Sequence, residues 1–225
     1  MSQPVDNQKF FPFGETLIQN LSSDWRALAE EFSIDGEAVG AAFAVLLDRY
    51  SEKHRFYHNL SHVRALLFLA EDLRENFSDY DCVRLAIWFH DAIYEPRRND
   101  NEIESARLAA SRLSGFGLPE NKIQKVEKMI LATARHDASE LDFDGKLFLD
   151  SDLSILGADA EIYKRYSRAV KGEYSFVPQN LYREGRKKIL ENFLRREFIY
   201  FTAEMRARFE AAARVNIENE IKELS

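Results

Sequence analysis

The feature that most constrains this 225-residue chain is the spacing of its apolar residues, which recur at about 3.6 residues through nearly every segment. No segment alternates convincingly between apolar and polar residues, as a half-buried strand does. Only nine glycines and five prolines are present, which favours long helices over many turns. The pattern therefore predicts an all-α fold in which each helix buries one face.

The predicted helices cover most of the chain. Asn59 and Ser78 are the predicted N-caps of the third and fourth helices. The chain has no internal repeat, low-complexity tract or obvious linker, so we expect a single domain over residues 1–225. The approximate helix bounds are 24–32, 37–50, 59–76, 78–90, 101–114, 120–135, 146–156, 159–173, 179–196 and 202–223.

Composition restricts the class of protein. A hydrophobic content of 45% and a charged content of 31% are typical of globular proteins, and the net charge of -7 argues against general nucleic-acid binding. No apolar run approaches the roughly 20 residues of a membrane span. The N-terminus has neither a basic leader nor an apolar signal core, so we expect a cytoplasmic protein without a membrane partner. The single cysteine, Cys82, lies in an apolar helical pattern and is expected to be buried. The oligomeric state is not indicated.

Three of the five histidines fall in two short segments. His58 and His62 stand four residues apart at the predicted start of one helix, so both can face one cavity. His90 and Asp91 follow the apolar run 85–89, where another helix leaves the core. Neutral imidazoles and a carboxylate on rigid elements are what a metal site needs. Each histidine taken alone is more often hydrogen-bonded structure, but the spacing of this set favours a metal centre.

These motifs resemble the HD superfamily of metal-dependent phosphohydrolases. In that family the histidines come in this order, with the pair corresponding to His90-Asp91 after a run of the type Ala-Ile-Trp-Phe. The string 57–62 is also similar to the opening motif of cyclic-nucleotide phosphodiesterases. The resemblance covers about residues 56–156. It implies an HD-domain-like helical bundle, to which the helices at about 159–223 are an addition.

The wider chain, including segments 173–178 and 182–186, resembles a group of bacterial HD proteins described as predicted phosphohydrolases. In the family a later aspartate completes the metal set. Segment 148–154 offers Asp150 and Asp152, and Asp152, with its apolar continuation, matches the family pattern better. The resemblance thus implies a metal set whose members are His62, His90, Asp91 and Asp152.

Two nitrogens and two carboxylate oxygens suit a divalent ion, with Mn, Fe, Co, Ni, Zn and Mg as candidates. The absence of thiolate ligands argues against a closed structural zinc site. Such an ion lowers the pKa of bound water and polarises a phosphoryl oxygen. By carry-over from the phosphodiesterase-like motif, His58 is the proton donor to the leaving group; the alternative is a hydrogen-bonded cap residue.

Three further acid or histidine side chains are candidates for supporting roles. His136 belongs to a second His-Asp pair, His136-Asp137, and in the family a histidine at this point often faces the site, on a second metal or on substrate phosphate. The alternative is that it never touches metal. Glu102 and Glu104 follow the His90-Asp91 loop and are candidates for orienting ligands, or for a capping or surface role.

A phosphate ester is anionic, so the site should offer cations. Arg97 and Arg98 follow the His-Asp pair directly and are candidates, unless they form a solvated turn. Between Glu161 and Arg196 ten basic residues outnumber four acidic ones, a local charge of +6. Two interpretations of this basic stretch are open: it steers a phosphorylated ligand towards the metal site, or it serves only the solubility of the helix faces. The strongest candidates for bidentate phosphate contact within it are Arg183 and Arg186.

The predicted function is metal-dependent hydrolysis of a phosphomonoester or phosphodiester, with nucleotides among the candidate substrates. One alternative is a non-catalytic HD module that binds a nucleotide or a partner. The other is a di-iron HD oxygenase, which would need a further histidine-rich set. Only His136 and Asp137 are spare for it.

Overall fold

The computed structural model describes residues 10–225. Residues 1–9, on which the expectation of no leader segment partly rests, lie outside the described residues. Over the described range the chain contains helices and no strand, so the predicted all-α class is confirmed. None of these helices combines the length and the apolar character that crossing a membrane requires.

Eleven α-helices follow one another in the described part of the chain. Short 3₁₀ segments occur at Arg74–Asn76 and Leu153–Gly157, and a π-helical turn, Arg206–Glu210, joins the last two helices. The helices are α1 Glu15–Glu31, α2 Gly36–Tyr50, α3 Leu60–Asp72, α4 Tyr80–Phe89, α5 Asn101–Gly115, α6 Glu120–Thr133, α7 Phe143–Asp152, α8 Ala160–Glu173, α9 Gln179–Arg195, α10 Ala203–Met205 and α11 Ala211–Leu224.

Side-chain caps set several of the helix starts. The Asn59 side chain accepts a hydrogen bond from the Ser61 amide at 2.8 Å, so its predicted role as the cap of α3 is confirmed. The prediction that Ser78 caps α4 is wrong. Asp79 caps this helix instead, because its carboxylate, one residue later, accepts from the amide of Cys82.

Two predicted boundaries were also wrong. Helix α1 begins at Glu15 rather than near residue 24, because Leu21 joins Trp25 and Leu28 in one buried stripe. Helix α7 begins at Phe143 rather than 146, because the side chain of Asp142 caps it by accepting from the amide of Gly145 at 2.9 Å.

The buried apolar residues form two clusters. The larger one joins α1–α6 and includes Trp25 and Trp88, whose rings meet edge to face with centroids 5.4 Å apart. It also holds Cys82, as predicted, and burial raises the pKa of this thiol to about 12. The smaller cluster, with members such as Tyr163 and Ile217, joins the C-terminal helices. Helix α7 contributes to both clusters, so the residues at its end lie where they meet.

Candidate metal centre

Three predicted ligands converge from three helices. His62 lies in the first turn of α3, His90 directly follows α4, and Asp152 is the last residue of α7. The Nε2 atom of His62 lies 3.1 Å from Nε2 of His90 and 3.2 Å from Oδ1 of Asp152. One ligand atom from each of the three residues lies within 4.8 Å of the others, so the group could hold a metal ion.

Asp91, the fourth predicted ligand, lies beside this group. Its Oδ2 atom is 3.1 Å from Nε2 of His90 and 3.8 Å from Nε2 of His62. The carboxylate is partly exposed, whereas both histidines are buried. Asp91 therefore stands between the buried imidazoles and the surface of the site.

The donor set fits a divalent ion. The Nδ1 atom of His90 donates to the carbonyl of Ile87 at 2.9 Å, so Nε2 is the nitrogen of this ring that can bind a metal ion beside His62. Ligands about 2.1 Å from one ion and at right angles to each other lie about 3.0 Å apart. The shortest separations between His62, His90 and Asp152, 3.1 and 3.2 Å, are close to this value.

The charges of the site favour a cation as well. Burial disfavours the imidazolium form of His90, but the charge of Asp91 outweighs this and raises the pKa of His90 to about 9. Burial also disfavours the ionised forms of Asp91 and Asp152. For Asp91 the charge of His90 prevails, and for Asp152 the hydrogen bond with His136 prevails, so the pKa of each carboxyl group is lowered. Two ionised carboxylates beside buried imidazoles attract a proton or a metal ion.

Asp150 and Asp152 lie two residues apart but have different surroundings. Asp150 is buried and accepts from the amides of Phe201 and Thr202 and from the hydroxyl of Thr202, each at 2.7 Å. It therefore caps the segment that leads into α10. Of the two aspartates, the structure brings Asp152 to the histidines.

His136 also reaches the cluster. Its Nε2 atom lies 3.1 Å from Oδ2 of Asp152, the oxygen that His62 does not contact. His136 has a φ of 46°, in the left-handed region that non-glycine residues seldom adopt. This conformation follows the end of α6. Asp137, the other half of the second His-Asp pair, is exposed and accepts from the amide of Ser139 instead.

His58 lies at the rim of the site, held by a carboxylate from α8. Its Nδ1 atom is 2.7 Å from Oε2 of Glu173, which also accepts from the hydroxyl of Tyr94. The other oxygen of Glu173 accepts from three consecutive amides, those of Phe56, Tyr57 and His58. Burial disfavours a charged His58, but the charge of Glu173 outweighs this and raises the pKa of His58.

A buried arginine joins the two histidine segments. Arg55 donates through Nη1 to the carbonyls of His58 and Asp91, at 3.0 and 2.6 Å, and through Nη2 to the carbonyl of Ala92 at 3.1 Å. Its side chain is fully buried, and Nε donates to Glu52. Arg55 therefore fixes the position of the loop after α4 relative to the start of α3.

Sequence reasoning missed Glu173 and Arg55 as site residues. Glu173 lies 115 residues after His58, and a single glutamate in a basic stretch carries no spacing signal. Its presence in segment 173–178, part of the wider HD resemblance, is the one signal that could have found it. Arg55 makes its contacts to backbone carbonyls, which no side-chain pattern reveals.

A cavity of about 490 Å³ opens beside the cluster. His58, Asp91, His136 and Asp152 line one side, and α8 and α9 close the other. Glu102, a predicted supporting residue, also lines it. Glu104 does not line it and pairs with Arg107 on the surface of α5.

Of the four predicted substrate-binding arginines, three lie outside the cavity and one lines it. Arg97 and Arg98 are exposed outside the cavity, where Arg97 covers the ring of Phe176 and Arg98 pairs with Asp100. Arg183 also lies outside the cavity and donates to the carbonyl of Leu224. Arg186 lines the cavity, but its guanidinium donates to both oxygens of Glu220, at 2.9 and 3.1 Å.

Comparison with known proteins does not identify the chain. No model of a protein family matches it, and no match was found among curated proteins or solved structures. The HD resemblance therefore stays a prediction from the motifs.

Proposed function

We propose that this protein hydrolyses a phosphate ester with the help of a divalent metal ion. The observation that carries the proposal is the convergence of His62, His90 and Asp152 from three helices onto one point at the edge of a cavity. The resemblance of the motifs to those of HD phosphohydrolases supports the same class of reaction.

Each residue of the cluster has a separate task in this proposal. His62 and His90 serve as buried ligands, while Asp152 and Asp91 serve as ligands that also reach the cavity. His136 orients the carboxylate of Asp152 through its second oxygen. A divalent ion held here would lower the pKa of a bound water and polarise a phosphoryl oxygen.

His58 supplies the proton that the leaving group requires. In hydrolysis a water oxygen bonds to phosphorus, the P–O bond to the alcohol breaks, and the alcohol leaves with a proton. Glu173 occupies Nδ1 of His58, so Nε2 is the nitrogen that can donate into the cavity. The raised pKa of His58 favours its protonated form, as a general acid needs.

The test is phosphate release from a panel of phosphate esters and nucleotides by protein loaded with each candidate metal. Asp91→Ala is expected to lower the rate at least about a hundredfold, because several kcal/mol of transition-state stabilisation depend on the metal site. Asp137→Ala is the matched control, since it removes the same group from the exposed second His-Asp pair, and its rate is expected to be unchanged.

Equal phosphate release from wild type and Asp91→Ala would remove the support for hydrolysis. About two irons per chain with consumption of dioxygen would favour the oxygenase instead. Tight nucleotide binding without turnover under every metal would favour a binding module.

A further inference from the structure

The wall of the cavity opposite the metal cluster is mainly apolar and aromatic. The α8 side supplies Tyr166, and the segment after it supplies Tyr174 and Val177. The α9 side supplies Leu181, Tyr182, Ile189 and Phe193. Such walls bind aromatic rings through buried area and edge contacts between rings.

Two residues of this apolar wall contact residues next to the cluster. The ring of Phe193 contacts that of His136 edge-on, with centroids 6.1 Å apart, and His136 contacts Asp152. On the other side the ring of Tyr166 packs against Tyr57, whose ring contacts His62. A group attached to phosphorus at the cluster would therefore meet aromatic side chains both on the side of Phe193 and on that of Tyr166.

The charged groups that line the cavity disfavour the binding of additional phosphate groups. Asp91, Asp152 and Glu102 contribute carboxylates. Arg186 is the one lysine or arginine among the described residues that line the cavity, and both oxygens of Glu220 already occupy its guanidinium. A second or third phosphate group would enter this space without a free lysine or arginine to pair with, which is costly in a partly desolvated site.

We infer that the cavity binds the organic part of a substrate in which an aromatic ring is attached to a single phosphoryl group, and that it rejects polyphosphates. This inference rests on the proposed function for the position of the phosphoryl group. The ring lies between the α8 and α9 walls, and the phosphoryl group lies at the cluster.

Gly185 offers a way to fill the cavity without disturbing the cluster. It lines the cavity from α9, and a Cβ atom built there meets no other atom within 4 Å. Leu181 and Ile189, four residues to either side on the same helix face, also line the cavity, so Gly185→Leu is expected to extend an isobutyl group towards the space assigned to the ring. Because leucine is a better helix former than glycine, the variant is expected to keep or raise the melting temperature.

The first arm of the test measures binding by calorimetry, with metal-loaded full-length protein and phosphonates that cannot be hydrolysed. Wild type is expected to bind phenylphosphonate at least about tenfold more tightly than methylphosphonate. In Gly185→Leu the affinity for phenylphosphonate falls by a similar factor and that for methylphosphonate is unchanged. Gly40→Leu, an exposed glycine of α2 with the same open surroundings, is the matched control and should change neither affinity.

The second arm measures kcat/KM for phenyl phosphate, methyl phosphate, inorganic pyrophosphate and ATP. Phenyl phosphate is expected to be the best of the four in wild type, and Gly185→Leu removes its advantage over methyl phosphate. A preference for ATP or pyrophosphate, equal binding of the two phosphonates, or equal binding of phenylphosphonate by wild type and Gly185→Leu would overturn the inference. If phenylphosphonate binds as expected but no ester is hydrolysed, the proposed hydrolysis fails and the assignment of the ring to the cavity stands.

Discussion

Helices α3 and α4, which position His62 and His90, form the metal side of the site, and α8 and α9, which close the cavity, form its closing side. The two sides are stabilised by different contacts. Helices α3 and α4 lie in the larger apolar cluster, where residues such as Val63, Leu66 and Trp88 are almost fully buried. His62 and His90 extend from this packed interior. Their positions therefore depend mainly on close packing, which tolerates little displacement.

The closing helices depend more on buried charged groups. Arg186 on α9 pairs with Glu220 on α11, and Tyr163 on α8 donates a third hydrogen bond to the same carboxylate. Glu173 attaches the end of α8 to the amides before α3. A buried ion pair adds little net stability, but removing one partner is costly because the other stays buried and unpaired.

Removing a charged group should therefore affect the stability of the two sides differently. On the metal side a carboxylate can be removed with little effect on folding, because the neighbouring imidazoles can lose their protons and stay buried as neutral groups. On the closing side single charges decide whether the helices stay in place. The predictions below test this difference.

The largest expected effect is the loss of activity on substituting Asp152, and substitution of the nearby Asp150 is the comparison. Asp152→Asn is expected to lower phosphate release at least about a thousandfold, since a metal ion contributes several kcal/mol of transition-state stabilisation. Its free energy of unfolding without metal should change little. Asp150→Asn should instead lower the free energy of unfolding by about 1–3 kcal/mol, because an amide cannot accept all of the hydrogen bonds from Phe201 and Thr202.

Phosphate release and metal affinity, the latter measured by calorimetry, test the effect on the metal site. Urea unfolding of the metal-free proteins measures the effect on the free energy of unfolding. Each variant serves as the control for the other, since both make the same chemical change two residues apart. Equal losses of metal affinity in both would contradict the assignment of Asp152, and not Asp150, to the cluster.

The next effect concerns the closing side. Arg186→Met is expected to lower the free energy of unfolding by about 3 kcal/mol at neutral pH, because Glu220 then stays buried without its cation. Arg183→Met, three residues earlier on α9, removes only a contact to the carbonyl of Leu224 and should cost about 0.5 kcal/mol or less. Urea unfolding of both variants checks the difference, and similar losses would show that the ion pair is not what holds α9 to α11.

Acidification should reduce the effect of Arg186→Met. Burial disfavours ionised Glu220, but the hydrogen bonds from Arg186 outweigh this and lower the pKa of Glu220. A lowered folded-state pKa gives stability that is present above the unfolded value, near 4.5, and is lost as the pH falls through the folded value. The difference between wild type and variant should therefore shrink as the pH falls below about 4.5.

The same contrast explains what the sequence could predict. Apolar periodicity predicted most of the helices, and the spacing of His62, His90 and Asp91 predicted residues that the fold brings together. The helices follow from local chemistry, because a helix fixes which side chains share a face. The meeting of His62 and His90, which belong to different helices, was predicted from the chemistry that a metal site needs and from the resemblance of the motifs. The start of α1 and the cap at Asp79 were missed because weak apolar stripes and neighbouring polar residues offer several equivalent boundaries.

The contacts of the closing side could not be predicted in this way. Glu220 meets Arg186 across 34 residues, and Glu173 meets His58 across 115. In sequence these glutamates resemble any solvated helix residue, and nothing in the sequence marks Glu220 as the partner of Arg186. Only the packing of the helices shows which charges are buried together.

The smallest expected effect belongs to Glu173, the residue that joins the two sides. Glu173→Gln keeps the size of the side chain and an oxygen for the backbone amides, but removes the charge beside His58. We expect phosphate release to fall about tenfold to a hundredfold, as for other groups that orient a functional histidine. Because Glu173 raises the pKa of His58, its removal should lower that pKa.

A general acid works only while it is protonated, so activity is lost as the pH rises through the pKa of His58. The alkaline limb of the pH–rate profile should therefore move to lower pH in Glu173→Gln. Tyr94→Phe is the matched control, since it removes one hydrogen bond from Glu173 but leaves the charge, and its limb should stay near that of wild type. A slower variant whose alkaline limb does not move would mean that Glu173 only supports the fold, and that the proton comes from a group other than His58.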